Sequence, residues 1–192
     1  MVGLSTFGQR ARPLLQAEEE ATRLWELFEQ QGDLLLGPAA SRQGLLSRNA
    51  DGSLRSYDLV HFATHAVLDT TAPLQSRVLL RDGDLMTSDI FTLRLSAPLV
   101  TLSACQSAVS EPRPGDALLG LAQAFFFAGA RSLLASLWTV DDRSTTRLMR
   151  EFYQAWKQGT RPAWALAAAQ RAMIEKDAAP YHWAPFLLLG MP

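Results

Sequence analysis

The sequence predicts one α/β domain, a three-layer fold in which a mostly parallel sheet is flanked by helices. Short apolar runs alternate along the chain with segments of helical periodicity, which is typical of strands and helices that follow one another. The runs are nearly continuous in apolar residues, as expected for strands buried on both faces of a parallel sheet. A chain of 192 residues, 48% of them hydrophobic, is the right size for one core.

The first predicted element is an amphipathic helix over residues 14–31, with apolar residues at helical spacing and Glu18, Glu19 and Glu20 in its first half. Gly32 marks its end, residues 34–37 read as a short strand, and residues 38–48 as a short helix before the turn-rich segment 49–53. The later predicted strands are 57–64, 77–80, 98–104, 132–138 and 186–190, and the later predicted helices are 116–128, 144–157 and 162–174. Gly129 is a favourable stop for the helix before it.

The charge balance argues against several classes of partner. Eighteen basic and 19 acidic residues leave a formal net charge of -1, so no overall positive field attracts nucleic acid or an anionic membrane. No uncharged apolar run reaches the roughly 18 residues that a membrane span requires, and the N-terminus lacks the apolar stretch of a signal peptide. A single cysteine without an export signal fits a reducing compartment, and we expect a cytoplasmic protein.

We expect neither a metal nor an organic cofactor. Cys105 is the one cysteine, which excludes a cysteine-rich metal site. The histidines are His61, His65 and His182; the first two are close in sequence, but no third ligand for a metal is evident beside them. The sequence contains no G-x-G-x-x-G after its first strand and no Walker-type GK[ST], so a doubly wound cofactor-binding enzyme is disfavoured.

Two reactive side chains follow predicted strands. His65 comes after the strand at 57–64 and Cys105 after the strand at 98–104. Ligands of open parallel sheets bind beyond the carboxyl ends of the strands, and a cysteine nucleophile needs a base such as histidine. The pattern alone leaves open that Cys105 fills the core and that His65 is structural. His61 lies inside its strand and is expected to pack or bond locally.

Several blocks in the chain occur in the order and spacing of a known family. They are HFATHA (61–66), LVTLSACQS (99–107), LLGLAQAFFFAGARSLLASLWTVDD (118–142), LMREFYQAW (148–156) and YHWAPFLLLG (181–190). Over about residues 14–190 the chain resembles the CHAT domain of the caspase and separase superfamily.

This resemblance implies a caspase-like fold and a cysteine endopeptidase that hydrolyses a protein or peptide through a thioester. His65 and Cys105 match the catalytic dyad, and backbone N–H groups of Ala66 and Cys105 would form the oxyanion hole. Ala66 stands where the family usually has glycine, which weakens the expectation of activity because alanine disfavours positive φ. The alternative is a weak or inactive pseudoprotease that binds a protein partner.

The segment LWTVDD resembles LWDVTD of separases, in which an aspartate reads an arginine at P1, the residue before the scissile bond. Asp142 matches the second acid of that motif, whereas Thr139 replaces the first. Asp141, Asp142 and Trp138 are therefore candidate substrate-binding residues. A competing interpretation is that one of the aspartates caps the helix that begins near residue 144.

Members of this family commonly form the C-terminal part of longer chains with tetratricopeptide repeats. No helical period of 34 residues is visible in residues 1–192, which we therefore interpret as one peptidase-like domain. It is either excised from a longer repeat-containing chain or a short stand-alone member. A repeat domain or a partner protein is the expected regulator.

Overall fold

A computed structural model describes residues 1–69, 71–107 and 114–191, without the side chains of 104–107 and 114–117. The strands are β1 (Val2–Gly3), β2 (Leu35–Leu36), β3 (Leu59–Leu68), β4 (Arg77–Leu79), β5 (Asp84–Met86), β6 (Leu99–Ser107), β7 (Ser132–Ser136) and β8 (Phe186–Gly190). The α-helices are α1 (Ala17–Leu27), α2 (Arg42–Ala50), α3 (Thr87–Thr92), α4 (Pro114–Phe127), α5 (Asp142–Lys157) and α6 (Pro162–Ile174).

The strands of the described residues form one mixed sheet in the order β2-β1-β3-β6-β7-β8. The five strands from β2 to β7 in that order are parallel, and β8 is antiparallel to β7. β4 and β5 form a small antiparallel hairpin. β4 pairs with β3 at Ala66 and Val67, which follow the residues of β3 that pair with β1. The predicted α/β architecture with a mostly parallel sheet is confirmed.

Helices cover both faces of the sheet, which explains why its strands are apolar along their whole length. Along β6, Val100 and Leu102 pack in a cluster that includes α4, whereas Leu99 packs in a cluster that includes α5 and α6. Phe62 of β3 meets Phe125 of α4 with ring centroids 6.1 Å apart. Alternate residues of one strand thus enter two different cores. None of the described helices is both long and apolar enough to cross a membrane.

The central strands are longer than the sequence predicts. β3 continues three residues past His65 to Leu68, and β6 continues two residues past Cys105 to Ser107. The extra residues of β3 pair with β6 on one edge, and two of them pair with β4 on the other. Pairing with neighbouring strands therefore continues β3 beyond the residues that the apolar pattern of the sequence marks as strand.

Other elements differ because they are short or exposed. The first helix is shorter than predicted and begins at Ala17, and β1, β5 and α3 were not predicted. The buried core reaches back to Val2, ahead of the segment that carries the family motifs. Phe127, the third of three consecutive phenylalanines in the predicted helix 116–128, is 74% exposed at the end of α4.

Gly129 ends α4 as predicted, for a reason that the sequence alone does not show. Its φ is +109°, and a Cβ at this position would collide with the backbone carbonyl of Leu95. Both the positive φ and the close approach of two backbones require glycine here.

A buried polar network ties α1 and α5 to the sheet. His61 Nδ1 lies 3.0 Å from the Tyr153 hydroxyl, which donates to Thr101 Oγ1 at 2.6 Å. His61 Nε2 lies 2.9 Å from Glu20 Oε1, and one proton must sit between these two atoms, since two lone pairs would repel. Burial raises the pKa of Tyr153 far above its usual range, so the phenol stays a neutral hydrogen-bonding group. The expectation that His61 bonds locally is confirmed.

We predict that Tyr153→Phe lowers the free energy of unfolding by about 1–3 kcal/mol, because it leaves buried atoms of His61 and Thr101 without a partner. Urea denaturation measures this change. Tyr181→Phe is the matched control, since that hydroxyl donates to the Thr139 carbonyl from a side chain that is 56% exposed. We expect less than about 0.5 kcal/mol for the control. Equal losses in the two variants would contradict a special role for the buried network.

Candidate active site

His65 lies on β3 directly after an irregularity in its pairing with β6. Phe62 pairs with Leu102 and His65 with Ala104, so two residues of β3 stand opposite the single residue Ser103. This is the arrangement of a β-bulge, which re-aims the side chains that follow it and is common beside active sites. The hydroxyl of Thr64, inside the bulge, donates to the Leu79 carbonyl of β4 at 2.7 Å and holds the irregular backbone in place.

Cys105 lies on β6, the strand next to β3. The register pairs it with Ala66, so the backbones of His65 and Cys105 are one step of register apart on adjacent strands. The Cys105 thiol, like the segment at 108–113 that follows the strand, lies outside the described part of the structure. The two strands that lead to the predicted catalytic residues are therefore adjacent, and the backbone positions of His65 and Cys105 are neighbours.

The hydrogen bond of His65 determines which ring nitrogen carries the proton. His65 Nε2 lies 2.8 Å from the backbone carbonyl oxygen of Arg12. A carbonyl oxygen can only accept, so Nε2 carries the hydrogen and Nδ1 of the neutral ring is a free acceptor. Nδ1 is buried and has no hydrogen-bond partner among the described atoms. The side chain therefore presents an unused basic nitrogen.

The surroundings of His65 favour the neutral ring. The residue is 1% exposed, and Phe7 covers it with ring centroids 4.7 Å apart. Burial lowers the pKa of His65 below its ordinary value of 6.5, while the Arg12 carbonyl and the carboxylate of Asp142 act in the opposite direction. At neutral pH the imidazole is thus a base rather than a cation.

The two aspartates of the candidate substrate site have different roles. Asp141 caps α5, where its Oδ1 accepts the Ser144 N–H at 3.0 Å, and its Oδ2 lies 2.7 Å from His182 Nδ1. Although burial acts to raise the pKa of Asp141, its bonds to Ser144 and His182 hold that pKa below its usual value. The capping interpretation is confirmed for this residue.

Asp142, the first residue of α5, is half-buried and lies on the side of His65. Its Oδ2 accepts the Gln16 backbone N–H at a long 3.4 Å, and its charge acts on the pKa of His65. Among the described residues Gln16 makes the one hydrogen bond to this carboxylate, so Asp142 keeps more capacity for a further donor than Asp141 does.

Trp138 contacts Tyr181, a residue that sequence reasoning did not identify. Its Nε1 donates to the Tyr181 carbonyl at 3.1 Å, and the Tyr181 hydroxyl donates back to Thr139 at 2.7 Å. The Trp138 and Tyr181 rings stack at 6.2 Å, tilted, just after the end of β7. Tyr181 was missed because it lies 43 positions away along the chain.

Ala66, the alanine in place of the family's glycine, lies in regular strand. It is fully buried, is not among the described residues with positive φ, and pairs with Val78 of β4 and with Cys105 of β6. Alanine is therefore unstrained at this position in this conformation.

We predict that His65 makes the folded state lose stability in acid. Because burial lowers its pKa, the unfolded chain binds a proton at His65 as the pH falls below 6.5, before the folded chain does. The free energy of unfolding then decreases from about pH 7 towards the lowered pKa and levels off below it. Urea denaturation across this range should show a shallower decrease for His65→Gln than for the wild type. The same slope in both proteins would contradict the burial of a neutral His65.

Comparison with known proteins identifies the family. The sequence profile of the CHAT domain matches residues 1–191. Tetratricopeptide repeat protein 28 of Mus musculus is 29% identical over 218 aligned positions, and its counterpart from Homo sapiens is 28% identical over 218. Each alignment covers 93% of this chain but only 9% or 8% of the relative, so the chain spans less than a tenth of these curated relatives. The profile match over the whole described fold shows that this chain belongs to the CHAT domain family, which is related to the caspase-like peptidases.

Proposed function

We propose that the chain is a cysteine endopeptidase in which His65 is the base and Cys105 the nucleophile. The observation that carries the proposal is the buried, unpartnered Nδ1 of His65, one register step from the Cys105 backbone. A buried acceptor without a partner costs about 1–3 kcal/mol, so its persistence calls for a group that uses it. A cysteine thiol is a proton donor of the right kind.

The proposed reaction begins with transfer of the thiol proton of Cys105 to Nδ1 of His65. The thiolate sulfur attacks the carbonyl carbon of the scissile peptide bond, and the carbon–nitrogen bond breaks as Nδ1 returns the proton to the departing amine. The product of this half-reaction is a thioester. A water molecule then gives a proton to Nδ1 and attacks the thioester, which releases a carboxylic acid and restores the thiol. The Arg12 carbonyl holds the ring throughout and stabilises the imidazolium while it exists.

Backbone N–H groups of Ala66 and Cys105 are the proposed donors to the oxyanion. Both residues belong to paired strands in this conformation. We propose that substrate binding separates the ends of β3 and β6 locally, which frees an N–H group that this pairing engages. Burial of the substrate backbone between the two strands would compensate for the lost pairing.

Asp142 is the proposed reader of a basic P1 side chain. The Asp141 carboxylate already caps α5 and pairs with His182. The Asp142 carboxylate accepts one long hydrogen bond among the described residues, and its charge acts on the pKa of His65. A guanidinium or ammonium group at P1 would complete the hydrogen bonding of this carboxylate. Trp138 would form part of the wall beside it.

A repeat segment is the proposed regulator of the site. The relatives are named tetratricopeptide repeat proteins, and this chain matches less than a tenth of their length. We propose that a helical repeat region, on the same chain or on a partner, controls access to the dyad.

We predict that peptide cleavage disappears in Cys105→Ala and falls by about 10²–10⁴-fold in His65→Ala, which lacks the general base. A fluorogenic peptide library under reducing conditions measures cleavage, and iodoacetamide labelling gives a direct readout of thiolate reactivity. Because the chain contains one cysteine, the label reports Cys105 alone. If the wild type cleaves nothing and its thiol reacts like a free cysteine, the chain is a protein-binding module instead.

We predict that Asp142→Asn lowers kcat/KM for peptides with Arg or Lys at P1 by at least about tenfold, with little change for apolar P1 residues. Asp141→Ala is the control, which should cost about 1 kcal/mol of stability through loss of the cap but leave the P1 preference unchanged. A peptide panel and urea denaturation distinguish the two effects. Cleavage only after apolar residues in the wild type would refute a basic P1 preference.

A further inference from the structure

The loop that supplies the Arg12 carbonyl connects β1 with α1 and is attached firmly at its two ends. Leu4 N–H donates to the Ala63 carbonyl of β3 at 3.1 Å, and Leu14 N–H donates to the Ser5 carbonyl at 3.0 Å, which closes the loop. Ser5 and Glu18 bond to each other through their backbone N–H groups and side chains. Phe7 is buried against His65.

The tip of this loop, residues 8–13, has far less support. Its side chains are exposed or half-buried, and of these Ala11 packs against the core, so packing gives the backbone of the tip little support. Among the described side chains of the tip, Arg10 makes hydrogen bonds outside the loop. Its Nη1 donates to Asp84 Oδ1 at 2.7 Å, and its Nη2 donates to the carbonyls of Leu80 at 2.7 Å and Arg81 at 3.4 Å. These three acceptors belong to the hairpin of β4 and β5.

We propose that Arg10 is a positioning residue for the dyad, which holds the loop tip on the β4–β5 hairpin so that the Arg12 carbonyl stays on Nε2 of His65. This inference rests on the proposed function, since it concerns the base of the same site. The guanidinium suits the role because its planar fork binds a carboxylate and two carbonyls at once. In the described part of the structure, the polar contacts of Arg10 and Asp84 do not include His65.

Distance explains why a contact at Arg10 affects His65. Arg10 and Arg12 are two residues apart, which is about 7 Å of extended chain, so a displacement of one moves the other. Pro13 disfavours helical conformations of Arg12 and so limits the directions in which its carbonyl points. A shift of about 1 Å would lengthen the 2.8 Å contact beyond hydrogen-bonding distance. The proton of the neutral ring would then be free to occupy Nδ1, where it blocks the acceptor for the Cys105 thiol.

The same contacts contribute little to the stability of the fold. The Arg10 and Asp84 side chains are 38% and 26% exposed, and ion pairs of this kind are weak in water. Asp84 also lies 3.0 Å from Arg77 Nε, so loss of Arg10 does not leave an unpaired carboxylate. A substitution at Arg10 therefore tests positioning rather than folding.

The experiment compares Arg10→Ala and Arg10→Lys with Arg23→Ala. Arg23 is a suitable control because it is an exposed arginine paired with Glu19 on α1. Nitrogen-15 NMR of the imidazole rings, with the His65 signals assigned from a His65→Gln sample, reports the tautomer without any catalysis. The rate of Cys105 alkylation by iodoacetamide, measured against pH, reports the base, and the urea midpoint reports the fold.

We expect the wild type and Arg23→Ala to carry the His65 proton on Nε2. In Arg10→Ala we expect a mixture of tautomers and alkylation at neutral pH at least about fivefold slower, with an unchanged urea midpoint. Arg10→Lys should recover part of the rate, since an ammonium group still reaches one acceptor.

The outcomes separate the two proposals. An Arg10→Ala protein that keeps the Nε2 tautomer and the wild-type alkylation profile overturns the positioning role and leaves the dyad intact. A wild-type thiol no more reactive than free cysteine, together with a changed tautomer in Arg10→Ala, refutes the peptidase and retains the positioning role. A slower rate with unchanged tautomer also overturns the role, because the effect would then not pass through His65.

Discussion

The parallel pairing of β3 with β6 is the constraint on which the rest of the structure depends. Every other strand of the described sheet pairs with one of these two strands or with a neighbour of theirs. β1 and β4 pair with the edge of β3 that faces away from β6, and β7 pairs with the edge of β6 that faces away from β3. Both strands are covered by helices on two faces, so their backbone groups depend mainly on each other and on the adjacent chain segments for hydrogen bonds. The two candidate catalytic residues thus lie on the two strands to which the rest of the sheet attaches.

A single bulge in this pairing separates two histidines with different environments. His61, before the bulge, has both ring nitrogens engaged, by Tyr153 and Glu20, and links helices to the sheet. His65, after the bulge, has one nitrogen on the Arg12 carbonyl and one without a partner in the part of the chain that the structure describes. Both residues are buried, so burial does not distinguish them. They differ in the number of ring nitrogens that have a described hydrogen-bond partner. A fully bonded imidazole is structural, whereas a half-bonded one can accept a proton.

Much of the fold could be predicted from periodicity, and the failures follow from its limits. The bounds of α6 and β8 agree with the predicted segments, and those of α5 agree within two residues, because long amphipathic and apolar runs give a strong signal. β1 and β5 have two and three residues, which is too short to show an alternating pattern. They are strands because a neighbouring strand pairs with them. Phe127 is exposed although phenylalanine favours the core, because three consecutive phenylalanines of one helix cannot all face inwards.

The sequence by itself indicated the family, the strands that lead to His65 and Cys105, and a helix cap from one of Asp141 and Asp142, since each depends on residue types in a local order. Only the tertiary structure decided which nitrogen of His65 is free, that Asp142 rather than Asp141 acts on that histidine, and that Arg10 connects the loop to the β4–β5 hairpin. The physical reason is that the decisive group on His65 is a backbone carbonyl from a residue 53 positions away. Every residue has such a carbonyl, so no sequence pattern marks it, and its role arises from the path of the chain alone.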